Sequence, residues 1–393
     1  MVFLSSIQGI KSRESTVADL QLIHPKLPSE DPANSVTLHK SYYTNPAIFE
    51  QEKQDLFYKT WHYAGWVGDL QEPGQYLTAS LFDQHVIIIR GRDGELAGFH
   101  NVCKHRGHTL LNGKGRVTRI TCPYHSWVYD LKGQLKRARA SETTPALDME
   151  RMQLTPINVD VVAGLFVFFN LDVGAPALDP QLTDLVADLE QEIPQLKDLV
   201  HANAPQEESD PELGTFIENA YPVNANWKIV MENFLECYHC RPSHPDVEAL
   251  FTLGDLTYEG HDLWAKQKSS VAGIEGGKQI FWTLFPNLIL STVVGEKPHL
   301  SVFIFAVPDG PTRTLPGYGG YYQLPDDDGT RILKQNFNQV GAEDKALCES
   351  AQRGMTSLGY DQGVFMYAPD KSECTEEASH AFSRFVVKYV GRN

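Results

Sequence analysis

The sequence predicts an α+β protein made of a small all-β domain and a larger domain that mixes helices with strands. Apolar residues recur at helical spacing from Ala47 to Trp61, and from Tyr63 to about Leu171 the pattern changes to short β-rich runs interrupted by glycine. Beyond a break at Val173 to Pro180, strand-like and helix-like runs alternate. These patterns favour two consecutive domains behind an N-terminal arm.

Composition is ordinary for a globular protein of this size. The chain has 393 residues, of which 42% are hydrophobic and 21% charged, enough for two or three domains with their own cores. Six scattered cysteines are too few for a disulfide scaffold, and no apolar stretch reaches membrane-spanning length. We therefore expect a soluble cytoplasmic protein.

The chain is acidic, with 34 Lys and Arg against 50 Asp and Glu and a net charge of −16. This charge argues against nucleic acid or an anionic membrane as partner. It could favour a cationic substrate or a basic redox partner, although an acidic surface that maintains solubility is the simpler reason for it.

In the first half, the predicted strands are YLTASLF, HVIIIRG, ELAGFHN and GLFVFFNLD, with a turn at Arg92-Asp93-Gly94. In the second half, we expect a helix around Leu182 to Leu196 and helices at Trp227–Cys240 and about Phe337–Leu358. The strands predicted there are FIENAYPVN, FWTLFPNLILSTVV, LSVFIFAVP and GYYQLP. No GxGxxG or P-loop motif occurs, so neither a flavin nor a nicotinamide nucleotide has an evident site.

Two thiols and two imidazoles form the most informative pattern. Cys103 and His105 are spaced Cys-x-His in CKHRGH, and Cys122 and His125 are spaced Cys-x-x-His in CPYH. A [2Fe–2S] cluster can take two cysteines on one iron and two histidines on the other. The spacing therefore predicts a Rieske centre.

The same four residues could instead bind zinc or include a disulfide. Zinc sites normally pair Cys with Cys and His with His within each loop, whereas both loops here are mixed. A Cys103–Cys122 disulfide is disfavoured because nothing indicates secretion. The nearby His108 fits no second Cys-x-His spacing and is expected to be an ordinary loop histidine.

A second metal site is predicted in NWKIVMENFLECYHCRPSHP. Glu236 and His239 are at i, i+3, which places both on one face of a helix. Prolines at 242 and 245 would end that helix and allow His244 to turn back toward His239. Two imidazoles and one carboxylate form the facial triad of non-haem Fe(II) oxygenases, which leaves positions open for O2.

The third ligand must come from elsewhere in the chain. AEDKALCESAQRG offers Asp344, with Glu343 beside it and Glu349 further along, and spacing alone does not choose among them. A helix end with solvated histidines is the plain alternative for the pair, and a charged helix start is the plain alternative for Asp344. Cys237 and Cys240, which flank the first histidine, are expected to be buried as small hydrophobic residues.

Taken together, CKHRGH, CPYHSW and NWKIVMENFLECYHCRPSHP resemble the α subunit of the Rieske non-haem iron oxygenases, over almost the whole chain. The resemblance implies an N-terminal arm and helix (1–57) that packs on the catalytic domain, a Rieske domain (58–172), and a catalytic helix-grip domain with an antiparallel sheet and helices (173–393). It also implies that Cys103 and Cys122 hold one cluster iron and His105 and His125 the other.

For the mononuclear iron, the resemblance implies His239, His244 and, as the best match, Asp344. Members of the family form head-to-tail rings, in which a carboxylate at the position of Glu236 bridges a cluster histidine of one subunit and an iron histidine of its neighbour. A homotrimer is the family default. Asn233, one turn before the first iron histidine, is expected near the iron.

Glutamate rather than aspartate at 236, within ECYHC, resembles the branch that oxidises quaternary ammonium compounds such as choline, glycine betaine, carnitine and stachydrine. The resemblance implies a terminal oxygenase that uses O2 and takes electrons from NAD(P)H only through a separate flavin and iron–sulfur reductase. An aromatic-ring or aromatic-acid hydroxylase is the nearest alternative. An electron carrier without oxygenase activity is a third.

Aromatic residues of the second half could bind a methylammonium cation over their ring faces. Such residues are more often part of a core. The candidates are Tyr258, Trp264, Phe281, Trp282 and Phe285.

Overall fold

A computed structural model describes residues 26–201, 222–245, 247, 252–295, 297–315, 318–323, 332–368, 370 and 374–391. The predicted α+β class is confirmed, with two large antiparallel sheets and helices against the second. Among the described residues, no helix has the length and apolar character that crossing a membrane requires.

The N-terminal segment is helical where the sequence predicts a helix, but it is not one regular helix. Helix α1 (Ser41–Thr44) precedes α2 (Pro46–Gln51), which continues into a π-helical turn, Glu52–Leu56, and a 3-10 turn, Phe57–Lys59. The Asn45 side chain caps α2 by accepting the Ala47 N–H, with proline at the first helical position.

The first half forms ten strands. Seven of them make an antiparallel sheet in the order β1-β10-β9-β4-β3-β2-β5, and β6, β7 and β8 make a small separate sheet. The strands are β1 (His62–Trp66), β2 (Gln75–Leu81), β3 (Gln84–Arg90), β4 (Leu96–His100), β5 (Lys114–Arg116), β6 (Ile120–Thr121), β7 (Val128–Tyr129), β8 (Leu135–Arg137), β9 (Pro156–Val162) and β10 (Phe166–Asn170).

The second half contains a seven-stranded sheet in the order β11-β19-β16-β15-β14-β13-β12 and a separate β17-β18 pair. Its strands are β11 (Val200–His201), β12 (Thr257–Gly260), β13 (Trp264–Ser270), β14 (Lys278–Leu284), β15 (Leu288–Val294), β16 (His299–Ile304), β17 (Val307–Pro308), β18 (Thr314–Leu315) and β19 (Tyr318–Gln323). Its helices are α3 (Thr183–Glu192), α4 (Trp227–Phe234), α5 (Cys240–Ser243), α6 (Ile332–Met355) and α7 (Glu377–Val390).

Several sequence predictions change in detail. FWTLFPNLILSTVV is two strands, β14 and β15, which pair antiparallel across a tight turn between Leu284 and Leu288. The helix predicted for Trp227–Cys240 stops at Phe234 and resumes as the short α5. Most of the predicted strand FIENAYPVN lies outside the described residues. The boundaries 1–57, 58–172 and 173–393 stay predictions.

The second sheet buries both of its faces. Residues such as Trp282 and Leu290 pack with α3 and with Tyr63 and Phe168 of the first sheet. The opposite face packs against α4 and α7, together with the N-terminal residues Leu56 and Phe57. Alternation along each strand therefore decides which side chains face α4 and the candidate iron ligands that follow it in the chain.

A buried ion pair fastens the N-terminal segment to α4. The Lys228 Nζ lies 2.6 Å from Glu52 Oε1, both side chains are fully buried, and Trp227 Nε1 donates to the other Glu52 oxygen at 2.9 Å. Burial lowers the pKa of Lys228, while the Glu52 charge opposes that shift. The ion pair fixes the start of α4, because loss of either partner would leave the other charge buried and unpaired.

Replacing Glu52 with glutamine is expected to lower the free energy of unfolding by about 3–5 kcal/mol, because Lys228 would keep a buried, uncompensated charge. Adding Lys228→Met should recover part of the loss. Urea unfolding of the two single variants and the double variant measures the coupling. Strictly additive losses in the double variant would contradict the ion-pair account.

His62 is buried between the N-terminal turn and the first sheet. Burial lowers its pKa to about 4, against the opposing hydrogen bond to the Phe57 carbonyl oxygen. Because the folded state holds this proton less tightly than the unfolded chain, the His62 contribution is complete above about pH 6.5 and is lost as pH falls toward 4.

Between pH 7 and pH 5, His62 is expected to cost the folded state about 2 kcal/mol. A His62→Gln variant should therefore lose less stability than wild type over that interval in denaturant unfolding. The same substitution at the exposed His85, His85→Gln, is the matched control. Equal losses for His62→Gln and wild type would contradict the assigned burial effect.

Candidate metal centres

The two cysteine loops of the first half have the same backbone hydrogen bonds. Cys103 N–H donates to the His108 carbonyl, and the Cys103 carbonyl accepts the Gly107 N–H. Cys122 repeats this with Trp127 and Ser126. Gly107 (φ 72°) and Ser126 (φ 60°) both adopt the left-handed conformation that the turn requires. The loops are therefore matched halves of one site.

The four candidate ligands lie in two layers. Cys103 and Cys122 are buried free thiols, 2% and 1% exposed, whereas His105 and His125 are half-buried. The histidine Nδ1 atoms are 3.1 Å apart, and the His105 ring stacks on Trp127. An inner sulfur pair and an outer imidazole pair fit a cluster with one iron ligated by each pair.

Neighbouring groups favour the neutral form of His125, which is the form that ligation needs. Desolvation lowers the pKa of His125, and nearby positive groups including Arg106 lower it further, which favours the neutral imidazole. The Tyr129 hydroxyl lies 3.4 Å from Cys103 Sγ. Free thiols at Cys103 and Cys122 also exclude the disulfide alternative.

The second site is built on a turn rather than on one helical face. Helix α4 ends at Phe234, and the Glu236 carboxylate accepts the N–H groups of Tyr238 and His239 while also contacting His239 Nδ1. The prediction of an i, i+3 helical pair is therefore wrong in its geometry. Glu236 and His239 meet because the glutamate caps the turn that leads into α5.

Three donor atoms converge in this site. Asp344 Oδ1 lies 3.2 Å from His239 Nε2 and 3.1 Å from His244 Nε2. Two ligands at right angles, each about 2.1 Å from a metal, lie about 3.0 Å apart. His244 Nε2 is buried and makes no hydrogen bond within the described part of the chain, as expected for an atom directed at a metal position.

The other ring nitrogen of each histidine faces a carboxylate. His239 Nδ1 contacts Glu236, and His244 Nδ1 lies 2.7 Å from Glu343 Oε2. Each carboxylate therefore holds the proton on Nδ1 and leaves Nε2 free to bind a metal. The Asn233 amide nitrogen lies 3.2 Å from His239 Nε2, beside the metal position.

The electrostatics of the site favour a positive charge. Burial lowers the pKa of His239, but the hydrogen bonds and charges of Asp344 and Glu236 outweigh it and raise the pKa to about 9. Glu349 does not contribute, because its carboxylate binds Asn224 and Lys345 instead.

A disulfide links Cys237 and Cys240 across His239, with their Cα atoms 4.8 Å apart. The expectation of two separate small hydrophobic residues is corrected, because the turn brings the two side chains together. Cys240 also lies near both histidines, but its sulfur is engaged in the disulfide. Asp344 is thus the better third donor.

A cavity that is open to solvent adjoins these donors. Its walls carry mostly apolar side chains, several of them phenyl rings, together with a few buried amides. Besides the donors, the lining includes Phe234, Val247, Leu253, Leu256, Tyr258, Gln267, Gln279, Phe281, Phe303 and Phe305.

Of the five aromatic candidates, the structure brings Tyr258 and Phe281 to this cavity. Trp264 and Trp282 lie on the other face of the sheet, where their indole N–H groups bind Asp184 and Asp188. Phe285 packs on α7. We correct the expectation for these three, since strand alternation and the turn after β14 direct them away from the cavity.

Sequence reasoning missed Phe234, Phe303 and Phe305 as lining residues, and the two glutamines. Phe234 stands five residues before His239 in the recognised motif, a signal that could have identified it. The others depend on which face of β13, β14 and β16 points inward, which the sequence pattern leaves open because both faces are buried.

A Cys2His2 site on a β domain and a two-histidine, one-carboxylate site in a helix-grip domain together define a Rieske-type non-haem iron oxygenase. Comparison with known protein families agrees. Residues 60–150 match the Rieske [2Fe-2S] domain, and residues 211–392 match the ring hydroxylating alpha subunit (catalytic domain).

Full-length relatives extend this likeness. The carnitine monooxygenase oxygenase subunit of Acinetobacter pittii (strain PHEA-2) is 31% identical over 382 residues, covering 93% of this chain and 98% of the relative. The chloroplastic choline monooxygenase of Spinacia oleracea is 28% identical, with 89% and 79% covered. A solved structure of the quaternary ammonium Rieske monooxygenase CntA has a TM-score of 0.78 and 30% identity, with 93% and 99% covered.

The chain therefore belongs to the Rieske non-haem iron oxygenases, as an α (oxygenase) subunit. It is an iron-dependent oxidoreductase, and membership implies a Rieske [2Fe–2S] cluster and a non-haem iron as cofactors. Both donor sets fit these groups.

Proposed function

We propose that this chain is the terminal oxygenase of a two-component monooxygenase that hydroxylates a C–H bond next to nitrogen in a quaternary ammonium compound. The substrate would be a betaine such as glycine betaine or stachydrine, which loses an N-methyl group, or carnitine, or choline, which would instead be oxidised at its alcohol carbon. Carnitine and choline monooxygenases among the full-length relatives support this substrate class.

The convergence of His239, His244 and Asp344 at a cavity with phenyl walls carries the proposal. Three carboxylates, Glu236, Glu343 and Asp344, surround the position of one divalent iron, so the site retains negative charge. Negative charge beside aromatic faces suits a cation that has no hydrogen-bond donor on nitrogen.

We propose that Cys103, Cys122, His105 and His125 hold the cluster, and that His239, His244 and Asp344 hold the mononuclear iron. When bound, the cluster supplies single electrons and the iron supplies the site of O2 chemistry. Glu236 and Glu343 keep the Nδ1 protons in place and orient both iron histidines. Asn233 borders the reacting position, and apolar residues such as Val247 and Leu256 limit water.

Electron delivery is proposed to involve two partners. The sequence contains no GxGxxG or P-loop motif, which supports a separate NAD(P)H reductase with flavin and its own iron–sulfur cluster. Within the described part of one chain, no hydrogen bond joins the cluster histidines to Glu236. We propose a homotrimer in which Glu236 links the cluster of one subunit to the iron of the next. The inter-subunit electron transfer described for the CntA structure supports transfer between subunits. A cytoplasmic location stays a prediction.

The decisive experiment measures O2 uptake by the iron-loaded protein with reductase, NADH and a panel of glycine betaine, stachydrine, choline, carnitine and benzoate. N-demethylation should release formaldehyde, whereas choline should give the aldehyde hydrate. We expect at least one quaternary amine, and not benzoate, to raise O2 uptake and give its product.

No uptake with any quaternary amine, or stimulation by the aromatic acid alone, would overturn the substrate class in favour of the aromatic alternative. Full turnover with NADH and no reductase would contradict the two-component scheme. Cluster reduction without O2 uptake on any compound would favour an electron carrier.

A further inference from the structure

Two glutamines form an unusual part of the cavity wall. Gln267 on β13 and Gln279 on β14 are 7% and 1% exposed, and both line the cavity. They lie on adjacent, paired strands, and both project from the face that carries Phe281. Polar side chains buried this deeply normally have every polar atom bonded.

Backbone partners fix the orientation of both amides. Gln267 Nε2 donates to the Phe234 carbonyl at 3.0 Å, and Gln279 Nε2 donates to the Thr292 carbonyl at 3.0 Å and to Ser291 Oγ at 2.8 Å. A backbone carbonyl only accepts, so the nitrogen of each amide must face it. Each Oε1 atom is thereby directed elsewhere.

Both Oε1 atoms are buried and make no hydrogen bond with any described residue. A buried acceptor without a partner is costly unless a ligand supplies the missing donor. Since both glutamines line the cavity beside the iron donors, the ligand that occupies this cavity is the natural partner.

The wall favours an occupant that presents a positive charge or a hydrogen-bond donor. Lys266 and Lys268 flank Gln267 on β13, and Lys268 also borders the cavity, but their ammonium groups bind Asp188 and Glu192 on the opposite face of the sheet. The inner wall therefore offers carbonyl dipoles with their negative ends outward, beside the T-shaped rings of Phe234 and Phe281, 5.3 Å apart. The two unpaired glutamine oxygens would repel an anion placed against them.

We propose that the Gln267 and Gln279 side-chain oxygens bind the methylammonium head of the substrate and make this chain select it by charge rather than by shape. Carbons attached to a quaternary nitrogen carry polarised hydrogens that donate C–H···O contacts to such oxygens. The ring faces of Phe234 and Phe281 supply the remaining contact. This inference rests on the proposed function, because it names the recognition elements of the same cavity.

The test compares quaternary amines with carbon analogues of the same shape that lack the ammonium charge. Choline is paired with 3,3-dimethylbutan-1-ol, and glycine betaine with 3,3-dimethylbutanoate. Calorimetric Kd values are measured on iron-loaded wild type, Gln267→Met, Gln279→Met and the double variant. Wild type should prefer at least one amine over its analogue about tenfold or more, and each substitution should reduce that ratio about fivefold.

The ratio must fall because the Kd of the amine rises, while the Kd of the carbon analogue is unchanged. An unchanged Kd for the analogue also shows that the cavity is intact. Gln352→Met is the matched control, because Gln352 is equally buried, lies outside the cavity, and has both amide ends bonded to Asn226 and Tyr43. It should leave the ratio unaltered. If the methionine variants do not fold, Gln267→Asn and Gln279→Asn replace them. The shorter side chain keeps the amide but moves its oxygen away from the ligand, and should also lower the ratio.

A wild type that binds amine and carbon analogue equally would overturn this inference, as would variants that keep the full preference. These results leave the proposed function standing if a quaternary amine is still oxidised. A wild type that neither binds nor oxidises any quaternary amine would overturn the proposed function, and this inference with it.

Discussion

Replacing His239 with alanine is expected to reduce substrate-dependent O2 uptake about a thousandfold or more, since the mononuclear iron would lose one of three protein ligands. The iron content should fall from about three to about two per chain, with the cluster retained. Asp344→Asn should behave similarly, because its carboxylate lies within 3.2 Å of both histidine Nε2 atoms. Oxygen-electrode rates and metal analysis on the same preparations check both results.

Glu349→Gln is the control for Asp344→Asn. Glu349 is an acid on the same helix, but its carboxylate binds Asn224 and Lys345 away from the cavity. Its substitution should leave iron content and O2 uptake near wild type. Normal activity in Asp344→Asn together with loss in Glu349→Gln would reassign the third ligand.

Replacing Glu236 with glutamine is expected to slow turnover about a hundredfold or more while leaving the cluster spectrum intact. A carboxamide has one acceptor oxygen, whereas both Glu236 oxygens accept hydrogen bonds in the structure. The readout is single-turnover oxidation of the prereduced cluster in the presence of O2 and substrate. In this account Glu236 joins the two centres, so that step should be slow even where iron is bound.

Glu343→Gln separates electron transfer from iron retention. Glu343 holds His244 as Glu236 holds His239, but it is not proposed to contact a cluster histidine. Its substitution should weaken iron binding, yet in iron-loaded enzyme the cluster should be reoxidised at the wild-type rate. Wild-type reoxidation in Glu236→Gln, or equal slowing in both variants, would refute the bridging role.

Both metal sites could be predicted from the sequence because most of their residues lie in short local motifs. The cluster residues form two short loops, and His239 and His244 are five positions apart, so spacing alone places each group together. Asp344 is 105 residues from His239, and its choice over Glu343 and Glu349 required the family resemblance. The structure brings Asp344 to both histidines through packing of α6 against α4.

Features that depend on register and on turns could not be predicted. A helix over Trp227–Cys240 fits the apolar spacing, but the Glu236 side chain competes for backbone N–H groups and produces a turn. Both faces of β14 are buried, so sequence does not show that Phe281 and Gln279 face the cavity while Trp282 faces α3. The Cys237–Cys240 disulfide likewise arises from the turn.

The most direct test of two different iron centres in one chain is metal analysis combined with EPR on anaerobically reconstituted, dithionite-reduced protein. The account predicts about three irons per chain and the EPR signal of a histidine-ligated [2Fe–2S] cluster. In a His239→Ala, His244→Ala double variant, about two irons and the same signal should remain. Absence of that signal, or a double variant that still holds three irons, would contradict the account.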